Sequence, residues 1–192
     1  MRFLTPLLVL GRVASAFVGS QTYVIPSGQI NGTTSSDKRV DVAPFDGPHV
    51  SVNNGSAYQW WYFDAVSSDS GSAVVAQFYP GWFPDANGVL LNIAFPNGTQ
   101  NSGFLPVGGL ELSTVGVSGK ITMRSRAPPH VACGLKKDGA SFEFAPFLAW
   151  GNAVPDSYAD VDLVVNGTEL SFTGSGYHDQ NWGAAAFANA LT

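Results

Sequence analysis

Residues 158–172 read YADVDLVVNGTELSF and carry the clearest local pattern in the chain. Apolar and polar side chains alternate, which is the period of a β-strand with one buried face. Asn166 and Gly167 form a two-residue turn that suits antiparallel strands, and Leu170 and Phe172 continue the alternation beyond it. We therefore predict a β-hairpin. The residues expected on the buried face of its first strand are Ala159, Val161, Leu163 and Val165.

Short apolar runs separated by turn residues continue along the chain from residue 57. The predicted strands cover 57–66, 72–79, 88–95, 117–124, 141–144, 158–165 and 168–173. A composition with 22 Gly, 12 Pro and only 12% charged residues favours short strands and tight turns over long helices. The sequence predicts an all-β domain over 45–192, preceded by an extended lead-in over 17–44 with one short strand near 23–25.

The N-terminus has the pattern of a secretory signal peptide. Arg2 precedes an apolar run over 3–10, and the small residues of 14–16 resemble a cleavage site, so we predict a signal peptide over 1–16. The alternative is an ordinary apolar N-terminus, since Arg12 is unusual between such a run and a cleavage site. Four glycosylation sequons independently favour secretion. Their acceptors are Asn31, Asn54, Asn97 and Asn166.

Charge and cysteine content narrow the classes of partner. The net charge is −5 with nine basic residues, which disfavours binding to nucleic acid and to anionic membranes. After the predicted signal peptide no run of about 20 apolar residues remains, so no membrane span is expected. Cys133 is the only cysteine, so the fold must be held by its core rather than by an intrachain disulfide.

Residues 58–65, YQWWYFDA, carry aromatic side chains at both even-numbered and odd-numbered positions. A β-strand would place Tyr58, Trp60, Tyr62 and Asp64 on one face, and the intervening Gln59, Trp61, Phe63 and Ala65 on the other. One face can then pack the core while the Asp64 face lines a cavity. The alternative is that the whole strand is core, with Asp64 hydrogen-bonded to backbone.

Residues 176–183, GYHDQNWG, form the second candidate segment. One interpretation is a turn at a strand end, in which Asp179 and Asn181 bond their own backbone and Trp182 packs beneath them. The other is a polar cluster at the mouth of a cavity, where His178 is the group that titrates near neutral pH. The two candidate segments together favour an apolar, conjugated small molecule as ligand.

Other familiar chemistries find little support in the sequence. His49, His130 and His178 are far apart and show no metal-ligand spacing, and no cofactor motif appears. There is no G-x-S-x-G nucleophile motif and no phosphate-binding loop around 107–110. The carboxylates Asp64, Glu143 and Asp179 could supply a glycosidase pair, but their spacing selects none. We predict neither a metal nor a cofactor.

The segments FDGPHVSVNNGSAYQWWYFDAVSSD and GYHDQNWG resemble the fungal Diels-Alderase family, across roughly residues 44–183. That family is similar to kievitone hydratases and carotenoid hydratases of a lipocalin-like superfamily. The resemblance implies an N-terminal β-sandwich followed by a C-terminal β-barrel, with substrate between them. At 192 residues this chain has about half the family's length, so we expect the barrel to be missing and a second domain or subunit to complete the pocket.

By resemblance, the chain is expected to be a pericyclase of fungal secondary metabolism. It would promote an intramolecular or hetero [4+2] cycloaddition of an apolar polyene of polyketide type by orienting the reacting groups and hydrogen-bonding a conjugated carbonyl. One alternative is a hydratase adding water to an alkene or prenyl group, with Asp64 or Asp179 as proton donor. Another is a non-catalytic, lipocalin-like binder of apolar small molecules.

The two matching motifs also carry over the predicted site residues. Some of these are expected to line the pocket and others to hold the fold together. The predicted catalytic residues are Asp64, His178 and Asp179. The predicted substrate-binding residues are Trp60, Tyr62, Tyr177, Asn181 and Trp182.

Overall fold

A computed structural model describes residues 23–26, 28–41, 45–83, 86–107 and 116–190. Its strands are β1 Tyr58–Ser67, β2 Ala73–Phe83, β3 Ala86–Ala94, β4 Gln100–Val107, β5 Val117–Ser125, β6 His130–Val131, β7 Gly134–Leu135, β8 Glu143–Ala145, β9 Leu148–Val165 and β10 Thr168–Gly183. A short 3-10 helix, Phe187–Ala190, follows the last strand. The all-β prediction is confirmed. The predicted signal peptide over 1–16 lies outside the described residues.

All the strands join one antiparallel sheet. Its order is β4-β3-β2-β1-β10-β9-β6-β7, and β5 and β8 also pair with β9. Strand β9 is long enough for different partners to use its two ends: β5 pairs with 157–165, whereas β6 and β8 pair with 148–152. The sheet is thus open and continuous.

The main hydrophobic core shows that this sheet curves around itself. One buried cluster combines Val74 of β2 and Leu91 of β3 with Val117 of β5 and Val161 and Leu163 of β9. These two groups of strands are separated in the sheet order by β1 and β10. The side chains of β2 and β3 pack against those of β5 and β9, and this burial supplies the apolar contact that a two-layer sandwich requires.

The predicted hairpin is confirmed as the connection between β9 and β10. Val165 pairs with Thr168 across the turn. Asn166 and Gly167 have φ values of 49° and 82°, the left-handed conformations that a tight two-residue turn of this type requires. Leu170 and Phe172 are buried, as the alternation predicts.

The described part of the lead-in, residues 23–26 and 28–41, crosses one end of the sheet as irregular chain. Val40 donates its backbone N–H to Ala140 at 2.8 Å, and Ser36 and Arg39 form isolated bridges with Val50 and Ser141. Residues 23–26 are irregular, so the predicted short strand there is wrong. A second core gathers beneath this crossing. Its buried members are Val40, Phe45, Val131, Phe142, Ala149 and Trp182.

Within the described residues, the structure has no helix whose length and apolar character would let it cross a membrane.

Candidate functional site

The two candidate segments are neighbours in the sheet. Strand β1 contains 58–65, the C-terminal half of β10 contains 176–183, and the two pair antiparallel. The turn interpretation of 176–183 is therefore wrong: these residues are extended, because β1 and β9 supply hydrogen-bonding partners on both sides. The register places Trp60 opposite Asn181, Tyr62 opposite Asp179, and Asp64 opposite Tyr177.

Residues directly opposite in an antiparallel pair project to the same side of the sheet. We call the side that carries Trp60, Tyr62 and Asp64 the outer face. The opposite side, which carries Gln59, Phe63 and Ala65 and contributes to the core, is the inner face. The predicted division of this strand into two faces is confirmed, with Ala65 fully buried on the inner side.

The outer face forms an open concavity of about 550 Å³. It brings together six of the eight predicted site residues. The lining consists of Trp60, Tyr62, Asp64, Gln77, Tyr177, Asp179 and Asn181.

Aromatic rings form one wall of this concavity. Trp60 stacks on Tyr58 with ring centroids 5.3 Å apart and meets the edge of Phe187 at 5.2 Å. Tyr62 and Tyr177 meet edge to face at 6.0 Å. Rigid rings held by their neighbours offer shaped, apolar contact area without much further loss of conformational freedom.

Asp179 is the most constrained polar group of the outer face. A single carboxylate oxygen, Oδ2, accepts two hydrogen bonds, one from the Tyr177 hydroxyl at 2.6 Å and one from Trp150 Nε1 at 2.7 Å. The residue is 9% exposed. Trp150 lies opposite Asn181 on β9 and was not predicted to belong to the site. In the sequence, Trp150 lies between the predicted strands 141–144 and 158–165, and only its aromatic character could have drawn attention to it.

Asp64 has a different environment although it lies on the same face. Burial raises the pKa of its carboxyl, and the charge of Asp179 adds to the rise, while a hydrogen bond from Tyr62 opposes it. Burial, reinforced by Asp64, also raises the pKa of Tyr62 to about 12. The concavity therefore combines a hydroxyl that stays protonated at neutral pH with a carboxyl that retains its proton more readily than usual.

His178 and Trp182 do not join this group, which corrects their prediction as members of one site. His178 lies opposite Phe63 on the inner face, 3% exposed, and stacks on that ring at 3.9 Å. Its Nδ1 lies 2.8 Å from the Tyr62 carbonyl and its Nε2 2.7 Å from Asp46. Both ring nitrogens are thus engaged with protein groups and turned away from the concavity.

Trp182 is a structural residue of the second core. Its side chain is fully buried, stacks on His49 with centroids 4.0 Å apart, and donates Nε1–H to the Asp37 carbonyl at 2.8 Å. The alternation along β10 places it on the inner face with His178, one position along the chain from the outer-face residue Asn181.

The remaining predicted residues lie elsewhere on the surface. Asn31, Asn97 and Asn166 are exposed, whereas Asn54 is partly buried and donates its amide to the Gly32 carbonyl at 2.8 Å. Cys133 is an exposed free thiol. In the described part of the chain, no group of three or more His, Cys, Asp or Glu side chains is arranged to hold a metal ion.

Comparison with known proteins points to one family. The model of the family described as Diels-Alderase-like matches residues 109–192. The chain is 27% identical over 209 residues to the quinolone epoxide rearrangement protein asqO of Emericella nidulans, covering 86% of this chain and 57% of the relative. It is 31% identical over 185 residues to the quinolone epoxide rearrangement protein penF of Penicillium thymicola, covering 72% and 50%.

A named Diels-Alderase and a solved structure agree with this. The Diels-Alderase phmD of Phaeosphaeria nodorum is 24% identical over 187 residues, covering 77% of this chain and 52% of the relative. A crystal structure of CghA with Sch210972 has a TM-score of 0.57 at 18% identity, covering 85% of this chain and 53% of that one, and supports the fold. The chain spans about half the length of the curated relatives it matches. The paired motifs, the family model over residues 109–192 and these relatives agree that the chain is similar to the fungal Diels-Alderase-like family.

Proposed function

We propose that the outer face is the substrate surface of a fungal cyclase acting on an apolar, conjugated small molecule. The proposed reaction is an intramolecular or hetero [4+2] cycloaddition of a polyene of polyketide type. The observation that carries the proposal is the concavity itself, in which one aromatic wall faces a small set of polar side chains. Similarity to the Diels-Alderase-like family and to a named Diels-Alderase supports the reaction class.

In this mechanism the chain's own residues orient the substrate. Trp60, braced by Tyr58 and Phe187, provides a fixed ring against which a polyene can fold. Orientation of reacting groups can supply several kcal/mol of barrier reduction, and up to about 7 to 11 in the best intramolecular models. The Asn181 amide is a donor for a carbonyl conjugated with the dienophile, and the Tyr62 hydroxyl, protonated at neutral pH, becomes a second donor if it exchanges its hydrogen bond to Asp64 for one to the substrate.

The concavity is open, and this bears on what completes it. A small-molecule site usually encloses most of its ligand, whereas this surface covers one side. The relatives are about twice as long as this chain. We propose that a second domain or another subunit closes the outer face during turnover.

A second candidate function is favoured by the two carboxyl groups. Asp64 has a raised pKa and lies on the same face as Asp179, which accepts two hydrogen bonds. An acid that retains its proton can assist opening of an epoxide or protonation of an alkene. Two of the relatives are named quinolone epoxide rearrangement proteins, which favours the first of these acid-assisted reactions. The hydratase hypothesis would use the same acid.

One set of variants separates the two candidates. The purified full chain would be incubated with a linear triene tethered to an α,β-unsaturated ketone and, separately, with an aryl-substituted quinolone epoxide. Products of unchanged mass would be resolved by chromatography and mass spectrometry. For cycloaddition we expect Trp60→Ala to reduce the rate about 100-fold through loss of orientation. We expect Asp64→Asn, which keeps the shape, to leave that rate nearly unchanged.

The opposite pattern would support acid assistance. In that case Asp64→Asn would reduce turnover of the epoxide by about 100-fold or more. Saturable binding of either compound with no product from the wild-type chain would contradict both candidates and support the non-catalytic binder.

We also propose entry into the secretory pathway, from the N-terminal pattern and the sequons. Expression in a fungal host should yield a secreted protein that begins at Phe17 and loses mass on enzymatic removal of N-glycans. Retention of Met1 in an intracellular protein would contradict this proposal.

A further inference from the structure

A second cavity, on the inner face, is separate from the outer concavity. It has a volume of about 390 Å³ and lies between β2 and β3 on one side and β5 and β9 on the other. Leu91 and Leu163 contribute from the two sides, and Phe63 and Phe78 meet edge to face at 5.6 Å along one wall. We call it the inner cavity. Closely packed interiors hold few voids larger than a water molecule, so a space of this size is not ordinary packing.

The side chains around the inner cavity are almost entirely apolar. His178 lies at one end, but its two ring nitrogens are engaged with Asp46 and the Tyr62 carbonyl. Lys120 contributes to the rim, but its side chain projects to the opposite side of β5 from the neighbouring Ile121. On that side it lies opposite Asp162 of β9 in the strand register. Apart from the exposed Lys120 and the engaged His178, the lining residues are apolar side chains and Gly119, which offer no partner for a charged ligand or for several waters.

Access to the inner cavity runs past side chains that are only partly buried. Phe78, Ile121 and Met123 belong to its lining and are each of intermediate exposure. They leave an apolar opening at the edge of the core. The volume falls within the range of small-molecule sites, about 300 to 1,000 Å³.

From this geometry we propose that the inner cavity is a second binding site, for a neutral, apolar small molecule. The strand pair β1 and β10 separates it from the outer face: Phe63 and His178 contact the inner site, while their chain neighbours Tyr62 and Tyr177 line the outer one. The proposal does not depend on the reaction assigned to the outer face.

Titration with the neutral fluorophore N-phenyl-1-naphthylamine tests this site. We expect saturable binding of one equivalent by the wild-type chain. Ala76→Phe places a ring in the inner cavity from a residue that is 5% exposed, and should raise the dissociation constant at least about tenfold. Trp60→Ala is the control on the outer face and should leave the dissociation constant within about twofold. Circular dichroism would confirm that each variant is folded.

A second measurement keeps the test decisive if Ala76→Phe fails to fold. Nuclear Overhauser contacts between the fluorophore and the Met123 methyl group should appear in the wild-type protein. Met123→Trp, at the partly exposed rim, should also weaken binding. Absence of these contacts, or a loss of binding in Trp60→Ala alone, would overturn the proposal. Product formation on the outer face is measured separately, so failure here would leave the proposed reaction standing.

Discussion

The inner and outer faces of the β1 and β10 pair carry different chemistry although they share the same ten backbone pairs. The inner face is buried, and its histidine has both nitrogens satisfied by the protein. The outer face is open and presents tyrosines and carboxyl groups. Tyr177, His178 and Asp179 are consecutive, yet the middle residue belongs to a different site from its neighbours. Adjacency in a motif therefore does not imply a shared function when the motif is a strand.

The largest effect is expected from breaking the inner face at Trp182. This fully buried ring stacks on His49, so Trp182→Ala should lower the free energy of unfolding by about 3 to 5 kcal/mol. Trp60→Ala, on the half-buried outer face, is the matched control and should lower the free energy of unfolding by a clearly smaller amount. Urea denaturation followed by circular dichroism measures both. Equal losses would mean that the two faces do not differ in their contribution to stability.

Asp46 tests how the inner histidine is held. Its Oδ1 accepts hydrogen bonds from His178 Nε2 at 2.7 Å and from Gln180 Nε2 at 2.9 Å. Asp46→Ala leaves two buried groups without this acceptor and should cost about 1 to 3 kcal/mol, toward the low end because the carboxylate is half exposed. Asp46→Asn retains an acceptor oxygen, so its free energy of unfolding should fall by less than that of Asp46→Ala. A larger loss in Asp46→Asn would contradict this account.

Tyr177→Phe probes the outer face alone. It removes one of the two hydrogen bonds to Asp179 and leaves the one from Trp150. The expected loss is about 1 kcal/mol in the free energy of unfolding. Because the inner cavity is unaffected, binding of the neutral fluorophore should not change. A simultaneous loss of that binding would show that the two faces are coupled.

The smallest effect is expected from the titration of Asp64. Its folded pKa is raised, so between the unfolded and the folded pKa the native state binds more protons and stability falls as pH rises. Below the unfolded pKa both states are protonated and this loss is absent. Asp64→Asn cannot ionise, so its stability relative to wild type should increase with pH across that window. Urea midpoints from pH 3 to 7 measure it, and a constant difference would contradict the assignment.

The alternating patterns were sufficient to predict the hairpin and the division of residues 58–65 between two faces. Strand β4, Gln100–Val107, was missed because Asn, Gly and Pro in a short stretch resemble a loop. The N-terminal half of β9 was missed because it contains Gly151 and Pro155, and the register shifts near that proline. Trp150 was lost to the site for the same reason.

The extension of β10 through 176–183 has a tertiary cause. Its polar residues favour a turn when considered alone, but β1 and β9 provide a partner on each side, and the core takes up every second side chain. The same pairing determines which members of the motif share a site. No local pattern in the sequence carries that information.

The strict alternation of β1 and β10 has a consequence for how such a chain can vary in length. Deleting or inserting one residue between Trp60 and Asp64 would shift the pairing register by one and send each following side chain to the opposite face. Aromatic rings and carboxyl groups would then enter the core while core residues faced solvent. We expect substitutions in these segments to be tolerated far more often than insertions or deletions, so divergence here should proceed at fixed length and leave length changes to the connecting turns.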